Sequence, residues 1–437
     1  MIPGDGARAH LEHCFRTALA AVDAGAAVRR VLVRDGARLR LAGEALPDSV
    51  SLVVLAMGKA AAAMAAAVEA VAGDRIAAGL AVTKDGHGAP LARMLLRETA
   101  HPVPDARCER AAHEALALVE RARREDVLLV LLSGGASSLL ACPAPGLSLE
   151  DLADATRVLL CAGAEIQELN SVRKHLGALA GGRLAQRAAC ARIELLVLSD
   201  VPGDRLDVIG SGPLSPDPTR YQDALAAVER LGVRERLPAR VLAHLTAGAA
   251  GRLPETPKPG DPSLARVRAH LLANNATARC AALEAARSVG ARSVDLGAVL
   301  RGEARAAGAR LAGLARALRP GEALCLVAGG ETTVTVRGPG RGGRSQELAL
   351  AAALGLDGDT RTTLLAAGTD GSDGPTAAAG AFADGATLAR ARRLGLDARS
   401  ALARNDSGAF FEAEGGLFVT GPTRTNVMDL ALLWSEA

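Results

Sequence analysis

The chain has 437 residues, a 49% apolar fraction and a net charge of +3 from 51 basic and 48 acidic residues. This length exceeds the roughly 250–300 residues at which a single core stops growing, so two domains are expected. Near-neutral, mixed charge gives no electrostatic reason to bind nucleic acid or a membrane surface, and a 2% aromatic content argues against base-stacking platforms.

In chain order, apolar spacing predicts a helix over 10–33. The charges Asp5, Arg8, Glu12 and Arg16 stand where a signal peptide would be apolar. A strand over 52–56 leads through Met57-Gly58-Lys59 into an alanine-rich helix ending near Val71, and a short strand follows at 79–83. Next come a helix over 106–124, a strand over 127–132, helices over 148–161 and 167–188, and a strand over 193–198. Short, continuously apolar strands alternating with helices indicate a mostly parallel sheet covered on both faces, with binding loops at the carboxyl ends of its strands. Gly58-Lys59, Ser133-Gly134 and Asp200-Val201 fall at such ends.

The stretch 247–263 carries Pro254, Pro257, Pro259 and Pro262 and reads as a linker. Beyond it, helices are expected at 276–289 and 302–318, and strands at 323–328, 332–336 and 364–367. Seven cysteines (Cys14, Cys108, Cys142, Cys161, Cys190, Cys280, Cys325) are scattered with no CxxC pair, as expected of reduced thiols in a cytoplasmic protein.

Six segments carry chemistry. Ser133-Gly134-Gly135-Ala136-Ser137-Ser138 follows a buried strand; it reads as a phosphate cradle or as a tight turn. Lys59 opens a helix, where a cation is unfavourable unless an anion is also present; otherwise it is a surface lysine. Only four of the 51 basic residues are lysine, so Lys59 and Lys174 stand out where a compact point charge is used in place of a planar fork. Asn170-Ser171-Val172-Arg173-Lys174-His175 is either a binding face or a solvated one. The acidic pairs Asp200/Asp204 and Asp370/Asp373 suit Mg²⁺ or proton acceptance, or else cap Asx turns. Gly338-x-Gly340-x-x-Gly343 matches the dinucleotide fingerprint formally, but the preceding segment alternates polar and apolar, and Arg341 and Arg344 suit phosphate better.

Together these segments resemble the glycerate 2-kinase family, which joins an N-terminal glycerate kinase domain to a C-terminal MOFRL domain. The resemblance rests on Met57-Gly58-Lys59-Ala60, His101-Pro102-Val103-Pro104-Asp105, residues 133–140, 170–176 and 199–204, Gly210-Ser211-Gly212-Pro213, Gly329-Gly330-Glu331-Thr332-Thr333, residues 342–347 and 368–376, and Asn405-Asp406-Ser407. They run in family order over nearly the whole chain. Ala136, Gly177, Ala180 and Ser345 depart from the family's usual glycine, serine, lysine and asparagine.

The resemblance implies an α/β protein of two domains. Residues 1–247 would form a Rossmann-like, doubly wound, mostly parallel sheet, residues 248–263 a linker, and residues 264–437 a MOFRL-type α/β domain with a mixed sheet, with the active site in the cleft. It implies ATP-dependent, Mg²⁺-assisted phosphorylation of D-glycerate at its 2-hydroxyl, giving 2-phosphoglycerate and ADP, with no nucleic-acid or membrane partner and a homo-oligomer left open. By the same token Lys59 and Arg344 would neutralise the migrating group and Asp370 would take the proton. Ser133, Gly134, Gly135, Ser137, Ser138, Gly342 and Gly343 would hold ATP phosphates. Asn170, Arg173, Lys174 and Glu331 would contact glycerate, and Asp200, Asp204 and Asp373 would hold Mg²⁺. The competing readings are an NAD(P)-dependent hydroxypyruvate reductase and a non-catalytic nucleotide-binding regulator.

Overall fold

The computed structural model of the protein describes residues 5–318, 321 and 323–436. It divides into two compact units, one over 24–272 and one over 273–436 together with the N-terminal residues 5–23. The expected ranges 1–247 and 264–437 differ from this division at both ends, and so does the expected linker at 248–263. The predicted helix over 10–33 is two helices, Asp5–Ala21 and Ala24–Val31, one in each unit. The first buries Ala7, Leu11, Cys14, Phe15 and Ala18 along one stripe, and it packs on helix Asn275–Ser288 and the last strand of the C-terminal unit. Arg8 reaches Asp384 at 2.9 Å, and Phe15 meets the Phe418 ring edge-on at 5.3 Å. The proline-rich stretch is folded into the first unit: Tyr221 N–H donates to Glu255 at 3.1 Å and Thr256 Oγ1 to Asp217 at 3.0 Å. Its prolines remove regular structure without making a spacer.

In the unit over 24–272, β1 (Leu32–Asp35), β2 (Arg38–Leu41) and β3 (Glu44–Leu46) form a small antiparallel meander. The main sheet holds β4 (Leu52–Met57), β5 (Ile76–Lys84), β6 (Leu95–Thr99), β7 (Val127–Leu132), β8 (Arg192–Leu198) and β9 (Val267–Ala273). Their spatial order is β6-β5-β4-β7-β8-β9, and the pairs from β6 through β8 are parallel. This is the Rossmann order, wound outward in both directions from β4. Every residue of β4 and β7 is buried, as a strand covered by helices on both faces requires. The predicted helix over 167–188 stops at Leu176 and resumes only as Arg183–Arg187. Gly177 is extended, and Gly181 and Gly182 take φ of +59° and +86°.

The C-terminal unit has a mixed sheet of β10 (Arg292–Leu300), β11 (Leu324–Gly330), β12 (Thr362–Gly368), β13 (Gly380–Asp384), β14 (Leu417–Phe418) and β15 (Asp429–Ser435). The order is β10-β11-β15-β12-β13-β14; only β10–β11 is parallel among the named pairs. The expected strand over 332–336 is not formed. Its alternation mimics a half-exposed strand, but among the described residues no strand pairs with it, and it is held by a bridge from Glu303 to Thr333 and by side chains of Glu303 and Asn405.

Candidate active site

Winding reverses between β4 and β7, and in open α/β sheets this switch point leaves a crevice at the carboxyl ends of the strands. Two turns meet there. Gly58 has φ +118°, and a Cβ on it would stand 2.3 Å from Ser133 Oγ and 2.4 Å from Ser133 O, so only glycine lets the turns touch. Lys59 N–H donates to Gly134 O at 2.9 Å, Ala60 N–H to Ser133 Oγ at 3.0 Å, and Ser133 N–H to Met57 O at 3.0 Å. Lys59 is thereby fixed at the start of helix Ala61–Ala72, which has no side-chain cap.

Past β7 the chain folds back tightly. Ser138, Leu139 and Leu140 donate to carbonyls of Gly135 and Ala136, but the N–H groups of Gly134, Gly135, Ala136 and Ser137 donate to no group among the described residues. Four successive unspent donors make an anion-binding nest. A Cβ on Gly135, φ +84°, would lie 3.0 Å from His101 Nε2 and 3.5 Å from Lys59 Cγ, so an imidazole and a lysine stem flank this nest. Ser133 Oγ accepts from Ala60 N–H and its hydroxyl donates to Met57 O at 3.5 Å, so it is engaged within the turn. Ser137 accepts from Arg173 Nη2 at 3.1 Å.

Helix Ile166–Leu176 separates its two neighbouring cations. Arg173 turns to a cavity beside the nest, with Ser137 as its hydrogen-bond partner, no carboxylate in ion-pair reach among the described residues, and a pKa lowered by burial. Lys174 points elsewhere. It is 2% exposed and bonds Asp207 at 3.3 Å and Asp217 at 3.4 Å. Burial alone would raise the Asp217 carboxyl, but Lys174 and Thr219 outweigh it and hold that group below its ordinary value. The expected role of Lys174 as a glycerate contact is corrected on this ground: its charge is already neutralised. Asn170 is buried and does not line the cavity. Asp200 and Asp204, both half-buried, lie on the loop after β8, which neighbours β7.

The C-terminal unit holds a second charged cluster where β11 and β12 end and β15 begins. Arg344 opens helix Arg344–Leu356 and forks onto Asp429, with Nε to Oδ2 at 2.6 Å and Nη2 to Oδ1 at 2.9 Å; its Nη1 bonds Glu331. Burial works against the guanidinium charge, but Asp429 and Glu331 outweigh it and raise the pKa. Asp370 Oδ1 accepts from the N–H and hydroxyl of Ser372, both at 3.0 Å. Asp373 accepts from the N–H groups of Ser345 at 3.0 Å and Gln346 at 2.8 Å, and burial pushes its carboxyl up to about 7. These N–H groups lie in the first turn of the helix, so Asp373 occupies two of the donors that a phosphate held at Gly342 and Gly343 could also use. The two glycines serve close packing: Cβ atoms there would stand 2.3 Å from Ser407 Oγ and 2.2 Å from Asp373 Oδ1.

Among the described residues, no three His, Cys, Asp or Glu side chains group closely enough to hold a metal ion by themselves. Mg²⁺ is commonly held by one or two carboxylates plus substrate phosphates, and Asp200 and Asp204 fit that donor set. Asp373 does not, since both its oxygens cap the helix.

Sequence reasoning missed Asp429 and gave no role to His101, Asp207 or Asp217. The one signal for Asp429 was an acidic residue opening the wholly apolar run 430–434. A family profile described as a domain of unknown function (DUF4147) matches residues 10–246, and the MOFRL family profile matches 324–429. A D-glycerate 2-kinase of Thermotoga maritima is 42% identical over 87% of this chain and 90% of its own length. A relative from Agrobacterium vitis, provisionally named hydroxypyruvate reductase, is 41% identical over 86% of each chain. The crystal structure of a glycerate kinase from Thermotoga maritima superposes with a TM-score of 0.83 at 38% identity, covering 97% of this chain and 98% of that one. The chain belongs to the glycerate 2-kinase family, whose DUF4147 and MOFRL parts it carries in order, and it is an enzyme of the kinase class.

Proposed function

We propose that the protein transfers the γ-phosphoryl group of ATP to the 2-hydroxyl of D-glycerate, giving 2-phosphoglycerate and ADP. The observation that carries this reading is the run of unspent N–H groups from Gly134 to Ser137, set at a switch point beside Lys59. Phosphoryl transfer asks chiefly for positioning and charge neutralisation, and this arrangement offers both.

In this mechanism the nest and Lys59 bind phosphate oxygens of the nucleotide, with Ser137 and Ser138 at its edge. Arg173 meets the carboxylate of glycerate. Arg344, held planar and charged by Asp429 and Glu331, neutralises the migrating group. The 2-hydroxyl oxygen forms the new bond to phosphorus as the bond to the ADP oxygen breaks, and Asp370 accepts the hydroxyl proton. Mg²⁺, held by Asp200 and Asp204 with the phosphates, would supply charge screening.

The test is ADP release from ATP and D-glycerate, with phosphorus NMR distinguishing 2- from 3-phosphoglycerate. The reductase reading rests on a relative's name and on a glycine pattern whose residues here pack against the 404–408 segment and Asp373. Oxidation of a nicotinamide cofactor by hydroxypyruvate, with no ADP released from glycerate, would replace the kinase assignment.

A further inference from the structure

A cavity of about 750 Å³ lies beside the nest in the unit over 24–272. Protein interiors pack like organic crystals, and a mostly apolar hollow of this size falls in the range of small-molecule binding pockets. Its walls are mostly hydrocarbon or thiol, including Leu140, Cys142, Leu152, Leu159, Val172 and Leu176. The helix Leu149–Cys161 forms one side, and only two of its 13 residues, Ala155 and Leu159, are buried. An amphipathic helix so lightly packed faces space in place of core. Ser137, Ser138 and Arg173 line it beside the unspent N–H groups, and Thr156, Arg157 and Ser211 add polar groups elsewhere on its wall. The shape calls for a ligand with an anionic end and a broad apolar body. Glycerate carries oxygen on each of its three carbons and has no such body.

We propose that this cavity holds the base and ribose of the phosphoryl donor, with its phosphates leaving through the nest. This rests on the kinase reading above and assigns the part of the nucleotide which that reading leaves unplaced. The base is held by burial against aliphatic side chains, and Ala155 sits where a larger residue would occupy its space.

The experiment is equilibrium binding of ADP and of inorganic tripolyphosphate, which lacks the base, to the full chain and to Ala155→Phe. ADP should bind Ala155→Phe at least tenfold more weakly, with tripolyphosphate unchanged and the thermal melt retained. If that variant does not fold, N-ethylmaleimide modification of Cys142 in the unaltered chain, mapped by peptide mass spectrometry, replaces it. ADP should slow that modification at least tenfold, and neither tripolyphosphate nor glycerate should. ADP bound equally well by Ala155→Phe, or bound without protecting Cys142, overturns the base pocket while leaving kinase activity standing. Protection by glycerate alone gives the cavity to the acid and overturns it too. Absence of both ADP binding and turnover refutes the kinase reading itself.

Discussion

Arg173 and Lys174 are adjacent cations that should respond to the same substitution in opposite ways. Lys174 is enclosed, with Asp207 and Asp217 as counter-ions. Lys174→Met removes one charge and strands the carboxylates. Asp207 keeps Arg205 at 2.7 Å, so Asp217, fully buried, bears most of the cost. Breaking a buried pair by removing one partner costs about 3–5 kcal/mol. In a unit of this size each kcal/mol moves the melting temperature by roughly 2–4 °C, so a fall of roughly 6–20 °C follows. Among the described residues Arg173 has no such counter-ion; burial opposes its charge, and its hydrogen-bond partner is a serine hydroxyl. Arg173→Met should leave stability unchanged or raise it by about 0.5–2 kcal/mol, the gain typical when a strained functional group is removed. It should also lower kcat/KM by about 10²–10³-fold, the usual loss of a preorganised charge.

Both variants are read by circular-dichroism melts and by ADP release at temperatures where each remains folded. The contrast is the test: one residue holds the fold, its neighbour serves the reaction. Equal destabilisation by the two substitutions, or near-normal turnover by Arg173→Met, would refute the division of roles drawn from their contacts.

Three further outcomes are expected. Gly58→Ala drives a methyl group into Ser133 at a left-handed φ, and it should cost about 2–5 kcal/mol in denaturant unfolding and abolish measurable turnover; unchanged stability would show that the two turns do not depend on each other. Asp429→Asn breaks the fork that orients Arg344 and should cost about 1.5–3 kcal/mol with at least a tenfold fall in kcat, while Asp429→Glu should recover part of the activity. Asp373 has a carboxyl raised from 3.8 to about 7, so the folded protein binds the extra proton between these values. Its contribution to stability is complete below about pH 4 and disappears as pH rises through about 7, and melts of Asp373→Asn across that window should be flatter than those of the unaltered chain.

The central strands were legible because each is a short, unbroken apolar run between turns: 52–56, 127–132 and 193–198 needed only periodicity and punctuation. Their carboxyl-end loops followed from the fold class, which placed Lys59, Ser133 and Asp200 on them. Edge strand β9 was not, since Arg268 and His270 interrupt it and its faces are largely exposed. Nor could the destination of helix Asp5–Ala21 be read, because periodicity declares a buried face without naming what buries it.

The same limit applies at the second glycine loop. A glycine pattern before a helix is equally compatible with a phosphate and with a neighbouring carboxylate; only the fold brings Asp373 from 27 residues away in sequence to the Ser345 and Gln346 donors in the first turn of that helix. Asp429 was hidden for the converse reason. It lies 85 residues from Arg344, and one acidic residue at a strand start says nothing about its partner. Charge type and turn chemistry are local and survive in the sequence, whereas charge compensation is a property of pairs. It is compensation that separates Arg173, a cation still available to an anionic substrate, from Lys174, a cation already spent.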